Sequence, residues 1–302
     1  MSEVLPKAIG LLSIIVLGYV LKRIGFFKPK DYVLISKIAL NVTLPAAVIT
    51  SFSGFEIDLS LVWIILLGLG GNLMMSGLGW LAGRRRGKDA QAFFMLNFSG
   101  YNIGCFALPF VQSFLGAYGV VVTCMFDAGN SIMCTGGTYA LAQGVAGKAG
   151  KRGIGGFLKA LFSSVPFDVY IIMLALSLFH IRLPDVGVAI ASNIGAANAF
   201  VAMLMIGMMF ELKPEKQYMK DAALTLLVRY GMAAAFAVLI YWFAPFPLEA
   251  RKVLVILVFS PIAAMVPVFT EKCRGNVALS GMINSFSIAI STIILTLLLT
   301  MM

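Results

Sequence analysis

The stretch Asn97-Phe-Ser-Gly-Tyr-Asn-Ile-Gly-Cys-Phe-Ala-Leu-Pro109 lies inside an apolar run, yet it does not suit an unbroken helix. Two Asn, a Ser, two Gly and a Pro fall within 13 residues. Proline removes a backbone donor and clashes one turn back, and glycine weakens the helix, so the backbone is expected to open here. An opened membrane helix offers carbonyls from one half and N–H groups, with the positive dipole end, from the other. Ser260-Pro261-Ile-Ala-Ala-Met-Val-Pro267 repeats this character in the second part of the chain. Two breaks of this kind predict a polytopic membrane protein rather than a row of plain spans.

The rest of the chain agrees. It has 302 residues, 60% hydrophobic and 12% charged, with a mean hydropathy of +0.96. Soluble domains are about 45–50% apolar and about one quarter charged, so a water-soluble globule, a disordered chain and a disulfide-stapled module are excluded. Apolar runs mark ten candidate spans, at 6–21, 32–53, 59–82, 90–115, 117–143, 165–180, 186–211, 218–243, 250–269 and 277–301. The first run is read as a retained span, and 156–163 as an amphipathic piece at the membrane surface. Cys105, Cys124 and Cys134 fall in apolar runs and Cys273 in a loop, which is neither a disulfide framework nor a metal spacing.

The net charge of +10 would suggest nucleic acid if it formed one face of a folded domain. Instead, 17 of the 23 basic residues fall in the connections after spans one, three, five, seven and nine, and four on the other side. Lys37 and Arg229 remain inside spans. By the positive-inside rule this predicts both termini on the non-cytoplasmic side of a cell (inner) membrane, and no nucleic-acid partner.

The Gly- and Lys-rich loop 144–159 divides the chain into five spans at 1–143 and five at 160–302. An odd number per unit requires a duplicated unit to insert upside down. Pro6 and Pro166, Asp31 and Asp185, and Asn130 and Asn284 sit alike in the two units, the last two pairs at an offset of 154. At that offset Pro109 would correspond to position 263, between Pro261 and Pro267. The expected fold is all-α, ten transmembrane helices in two inverted five-helix repeats, a plan that recurs among secondary transporters.

Ionisable residues inside spans are costly and need a reason. Asp127 lies about ten residues into span five and Arg229 about twelve into span eight, both near mid-depth. Two readings stand: one buried ion pair between them, or separate roles, with Asp127 taking up H⁺ or Na⁺ and Arg229 facing an anionic substrate. Asn41, before Pro45, and Asn193 and Asn198 in span seven either line a cavity or hydrogen-bond between helices. The Met residues within 203–209 suit packing, and Gly68, Gly70, Gly71 and Gly77 suit close helix approach.

The order of these motifs resembles the auxin efflux carrier family along essentially the whole chain. Leu44-Pro45 matches its span-two Leu-Pro, and Asn102-Ile-Gly104-Cys-Phe-Ala107-Leu-Pro109 its span-four Asn-x-Gly-x-x-Gly-x-Pro. Asp127 and Asn130 match its Asp-x-x-Asn, Pro261 its broken ninth span, and Glu271 a following Glu. Ala107 replaces the second Gly of the span-four motif, and Pro267 is read as lengthening the ninth break. The resemblance implies helices four and nine crossing at their breaks, with an organic anion such as a carboxylate carried by alternating access. It places Asn102, Gly104, Pro109, Asn130 and Pro261 at the substrate, with Asn41, Asn284 and Arg229 as further candidates and Asp127 as the ion-coupling residue. No cofactor is expected beyond H⁺ or Na⁺ as coupling ion, and a homodimer is compatible. A cation exchanger or a Na⁺-coupled bile-acid-type symporter is the alternative. Without HExxH, paired membrane aspartates or a Ser–His pair, an enzyme is not expected.

Overall fold

A computed structural model describes residues 4–53, 59–147, 154–210 and 215–301. The linker residues 148–153, with Lys148, Lys151 and Arg152, and Lys213 in the seventh connection lie outside the described residues. Among the described residues the chain is all-helical, and its only β pairing is an isolated antiparallel bridge between Tyr101 and Ile262.

The helices are α1 (Val4–Arg23), α2 (Tyr32–Ile38), α3 (Leu44–Phe52), α4 (Trp63–Gly83), α5 (Lys88–Phe98), α6 (Leu108–Ile132) and α7 (Thr138–Val145). They continue as α8 (Ile154–Leu161), α9 (Val165–Leu178), α10 (Asp185–Ala196), α11 (Asn198–Met209), α12 (Met219–Phe243), α13 (Leu248–Val258), α14 (Val266–Lys272) and α15 (Val277–Met301). Among the described residues, six helical stretches are long and apolar enough to cross a membrane, and α8 with α9, bent by 79°, would make a seventh. Three expected spans, 6–21, 90–115 and 250–269, are not among them, and the last two are each interrupted. The interruptions leave α5 and α13 with 11 residues apiece, about 16 Å of helix.

The stretch Ile103–Val145 holds 43 residues, about 65 Å if straight and twice the hydrocarbon thickness. It is interrupted at Gly116, whose φ of 63° and ψ of −159° lie outside the helical region. Beyond it the chain folds back, since Asn130 bonds Tyr101 and the ring of Phe126 meets that of Tyr101 edge-on at 5.6 Å.

Proline explains two of the three π-helical turns. Ala39–Thr43 precedes Pro45 and Ile103–Ala107 precedes Pro109, so the wider turn stands where the proline lacks an N–H for the regular bond. The third, Met133–Gly137, contains Gly136 at a φ of 160°.

Packing groups the helices across the expected halves. α1 lies on α11, and α3 on α10 and α9, giving a flanking bundle. α4 packs on α5 and α6, α12 on α13, α15 and α5, and α13 on α6, giving a second bundle that contains both breaks. Gly68 and Gly129 set the closest approach inside it: a Cβ on Gly68 would lie 2.1 Å from the Phe126 carbonyl oxygen, and one on Gly129 1.9 Å from that of Ile65. Gly70 and Gly77, also expected to serve packing, have open space beside them. Met203 and Met205 are buried in the main core, and Met208 is buried as well. Large apolar side chains such as Leu227, Trp242 and Val186 stand exposed on the outside, where a membrane protein meets lipid rather than water.

Candidate functional site

The breaks meet. α5 stops at Phe98 because Ser99 is extended and Gly100 takes a φ of +81°, a conformation that favours glycine. The freed N–H groups are then satisfied one by one. Gly100 N–H donates to Asn72 Oδ1 at 2.6 Å, Tyr101 N–H to Asn130 Oδ1 at 3.1 Å, and Asn102 N–H to the Pro261 carbonyl at 2.9 Å. Asn130 Nδ2 returns a bond to the Tyr101 carbonyl at 2.9 Å, and Asn72 Nδ2 braces Asn130 Oδ1 at 3.0 Å.

The second break, between α13 and α14, is held from α15. Ile262 N–H donates to Ser287 Oγ at 3.1 Å, while Asn284 Nδ2 reaches the carbonyls of Ile262 and Ala263 at 3.3 and 3.4 Å. Asn130 and Asn284 thus hold the two strands of the antiparallel bridge, from α6 and α15 respectively. The spacing differs: 29 residues separate Tyr101 from Asn130, and 22 separate Ile262 from Asn284, seven fewer.

The offset of 154 therefore does not bring the bridged residues Tyr101 and Ile262 into register. Pro109 stands in the first turn of the helix after its break, and Pro267 in the first turn of α14. Pro267 thus resembles Pro109 in opening the helix after a break, although it follows Ile262 by five residues where Pro109 follows Tyr101 by eight. Pro261 lies inside the break, opposite Asn102, where its carbonyl accepts and its missing N–H costs nothing.

Arg229 joins both breaks. It is 2% exposed; Nη1 donates to the Phe98 carbonyl at 2.7 Å, and Nη2 points to those of Gly100, Ser260 and Pro261 at 2.8, 3.0 and 3.1 Å. The guanidinium also lies 4.9 Å from the Tyr101 ring centroid. Sequence reasoning gave Arg229 either a substrate anion or Asp127 as partner, whereas the partners found for its terminal nitrogens are four backbone carbonyls. Helix breaks orphan carbonyls, and a planar five-donor cation satisfies several at once.

Asp127, 6% exposed, stands apart from Arg229 and forms no ion pair with it. Its carboxylate accepts from Asn130 Nδ2 at 2.7 Å and from the Tyr170 hydroxyl on α9 at 2.9 Å. Gly104 faces it: a Cβ there would lie 3.7 Å from Asp127 Oδ2 and 3.1 Å from Leu44. Asn102 is nearly buried, and its side-chain amide has no hydrogen-bond partner among the described residues.

Two candidates fall elsewhere. Asn41 is exposed, and its neighbour Thr43 takes the inward position and bonds Asn198. The π-helical turn at 39–43 shifts the register, which side-chain spacing alone does not reveal. Asn193 is also exposed, while Asn198 is fully buried. Sequence reasoning missed Asn72, Tyr170, Gln112 and Ser287. Asn72 carried a usable signal, a lone amide directly after Gly70-Gly71 in an apolar run.

A cavity of about 620 Å³ opens between the bundles. One wall holds Lys22, Arg23 and Phe210, and the other Ala264, Pro267, Asn284 and Ser285. It leads from the end of the molecule rich in basic residues to the second break.

A family model described as "Membrane transport protein" matches residues 4–156, about half of the chain. An "Uncharacterized transporter" of Methanothermobacter thermautotrophicus is 25% identical over 238 residues, covering 75% of this chain and 76% of its own length. Paired helix breaks inside an apolar, multi-span bundle recur among secondary transporters, and the sequence match agrees. The chain belongs to the membrane transport protein family of auxin efflux carriers, a family of transporters and not of enzymes.

Proposed function

We propose that the protein is a secondary carrier of a small organic anion, a carboxylate, working by alternating access between two inverted five-helix repeats. The observation that carries this reading is the joined pair of breaks with a cavity leading to one of them. The substrate carboxylate binds at the second break, where Asn284 and Ser285 line the cavity beside Ala264 and Pro267. The backbone N–H groups of Ala263, Ala264 and Met265 donate no hydrogen bond within the described residues and are suited to an anion. From the first unit, Asn102 offers its unpartnered amide, Gly104 keeps the approach narrow but open, and Pro109 and Asn130 fix the backbone. Pro261 fixes the opposing strand.

Arg229 contributes charge rather than contact. With its terminal nitrogens held by carbonyls, it lowers the cost of bringing a carboxylate into the crossover without binding it irreversibly. Asp127, bonded only to neutral donors, is the proposed coupling residue for H⁺ or Na⁺. A carboxylate without a cationic neighbour favours cation uptake, which is also what a cation exchanger or a Na⁺-coupled symporter would use.

The basic loops put the cavity on the cytoplasmic side of the cell membrane and both termini on the other. The test is uptake of labelled mono- and dicarboxylates into proteoliposomes, with and without gradients of Na⁺ and H⁺. Saturable, carboxylate-specific uptake supports the reading. Ion flux that needs no organic anion overturns it in favour of the exchanger.

A further inference from the structure

The bundles are joined unevenly. At the basic end they part around the cavity, whereas on the far side of the crossover they are tied by side chains. Gln112 lies on the segment 108–115, beyond the first break and one turn before Gly116. Its Nε2 donates to the Gly195 carbonyl at 3.2 Å, and its Oε1 accepts from Asn198 Nδ2 at 3.1 Å. Asn198 Oδ1 in turn accepts from Thr43 Oγ1 at 3.0 Å. Asn198 and Thr43 are buried within the flanking bundle, and Gln112 is the one member from the crossover bundle.

Several features set this chain apart from ordinary interhelical packing. The carbonyl it uses belongs to Gly195, one residue before α10 ends at Ala196, where the span changes over to α11. The amides of Gln112 and Asn198 satisfy each other in an apolar setting, so neither can be withdrawn alone without leaving a polar group unpaired. Water entering between the bundles would replace both partners at once. Such a contact holds firmly when dry and yields when wetted.

We propose that Gln112 is the far-side gate residue of the transport cycle, latched through Asn198 and Thr43 to the flanking bundle. The latch holds the site closed on the side away from the basic loops, and it must part for the site to open there. The inference rests on the alternating-access reading and identifies which contact sets the balance between the two facing states. Gln112 is a positioning residue: it touches the moving contact, not the substrate.

Cys105 provides the readout. It is buried, lies seven residues before Gln112 on the same side of the first break, and can be the sole thiol once Cys124, Cys134 and Cys273 are replaced by Ala. A membrane-impermeant maleimide is applied to reconstituted protein from each side in turn. Gln112→Leu and Asn198→Leu are expected to raise Cys105 labelling about tenfold from the far side, with little change from the basic side. Thr43→Val, which removes only the outermost bond, should give a smaller rise on the same side and serves if the Leu variants fail to fold. A merely structural role would raise labelling equally from both sides. That result, or unchanged labelling in folded variants, overturns the proposal.

A second arm uses Gln112→Cys with Asn198→Cys in the otherwise cysteine-free chain, joined by a short bis-maleimide. Cross-linking should abolish uptake while a carboxylate still raises the unfolding midpoint, because the cavity side stays open. Uptake that survives the cross-link overturns the latch. The labelling needs no substrate, so a wild type that carries no carboxylate refutes the functional reading and leaves the labelling result to judge the gate.

Discussion

The two breaks solve the same backbone problem with different amounts of support. At the first, every N–H from Gly100 to Asn102 has a partner, and two asparagines from separate helices brace each other against it. At the second, Asn284 reaches its carbonyls at 3.3 and 3.4 Å, three successive N–H groups are left over, and a cavity of about 620 Å³ arrives beside them. The helix after the second break is also short, seven residues in α14. On the proposed reading the first break is thus a fixed anchor and the second the substrate site. Polar groups that are fully paired give rigidity, and those left partly paired are available to a ligand.

The strongest way to break this comparison is to remove what the two share. Arg229→Met leaves four buried carbonyls without their cation and is expected to cost about 3–5 kcal/mol, enough to lose folded protein at moderate temperature. Thermal unfolding in detergent would measure it, and Arg229→Lys should recover part of the loss. Next comes the framework of the anchor. Gly129→Ala places a methyl into the Ile65 carbonyl and should cost about 3 kcal/mol, whereas Gly77→Ala, with open space beside it, should stay within about 1 kcal/mol of the parent, on the stabilising side.

The comparison sharpens with the paired asparagines. Asn130→Ala should destabilise by about 2–3 kcal/mol, since it unpairs Tyr101, Asn72 and Asp127 together. Asn284→Ala should cost about 1 kcal/mol or less and act on substrate affinity. Equal effects on stability would remove the distinction between anchor and site. The smallest structural effect belongs to Asp127→Asn, whose amide oxygen still accepts from Asn130 and whose NH2 donates to the turned Tyr170 hydroxyl, and it should move the unfolding midpoint by only about 2 °C. Its signature is uptake that no longer responds to Na⁺ or pH gradients. Preserved ion dependence would remove Asp127 from coupling.

Much of this was legible in the residues. Asn97 to Pro109 announced a break because Gly, Asn and Pro disfavour helix wherever they cluster, and the breaks fell where their composition pointed. Other features were hidden for identifiable reasons. The offset of 154, shared by Asp31 with Asp185 and by Asn130 with Asn284, fails at the breaks, because seven fewer residues separate Ile262 from Asn284 than Tyr101 from Asn130. Pro267, like Pro109, stands in the first turn of the helix that follows its break. Arg229 was assigned to charged partners because carbonyl acceptors leave no letter in a sequence. Asn41 lost its inward place to Thr43 through a π-helical turn, a register change that no spacing rule contains.

The central claim is that a carboxylate binds at the second break and is carried. Its most direct test is the concentration dependence of carboxylate uptake by wild type and Asn284→Ala in the same proteoliposomes. The account predicts saturable uptake whose KM rises about tenfold or more in the variant, with the unfolding midpoint nearly unchanged. An unchanged KM in folded Asn284→Ala, or no carboxylate uptake by the wild type, would contradict it.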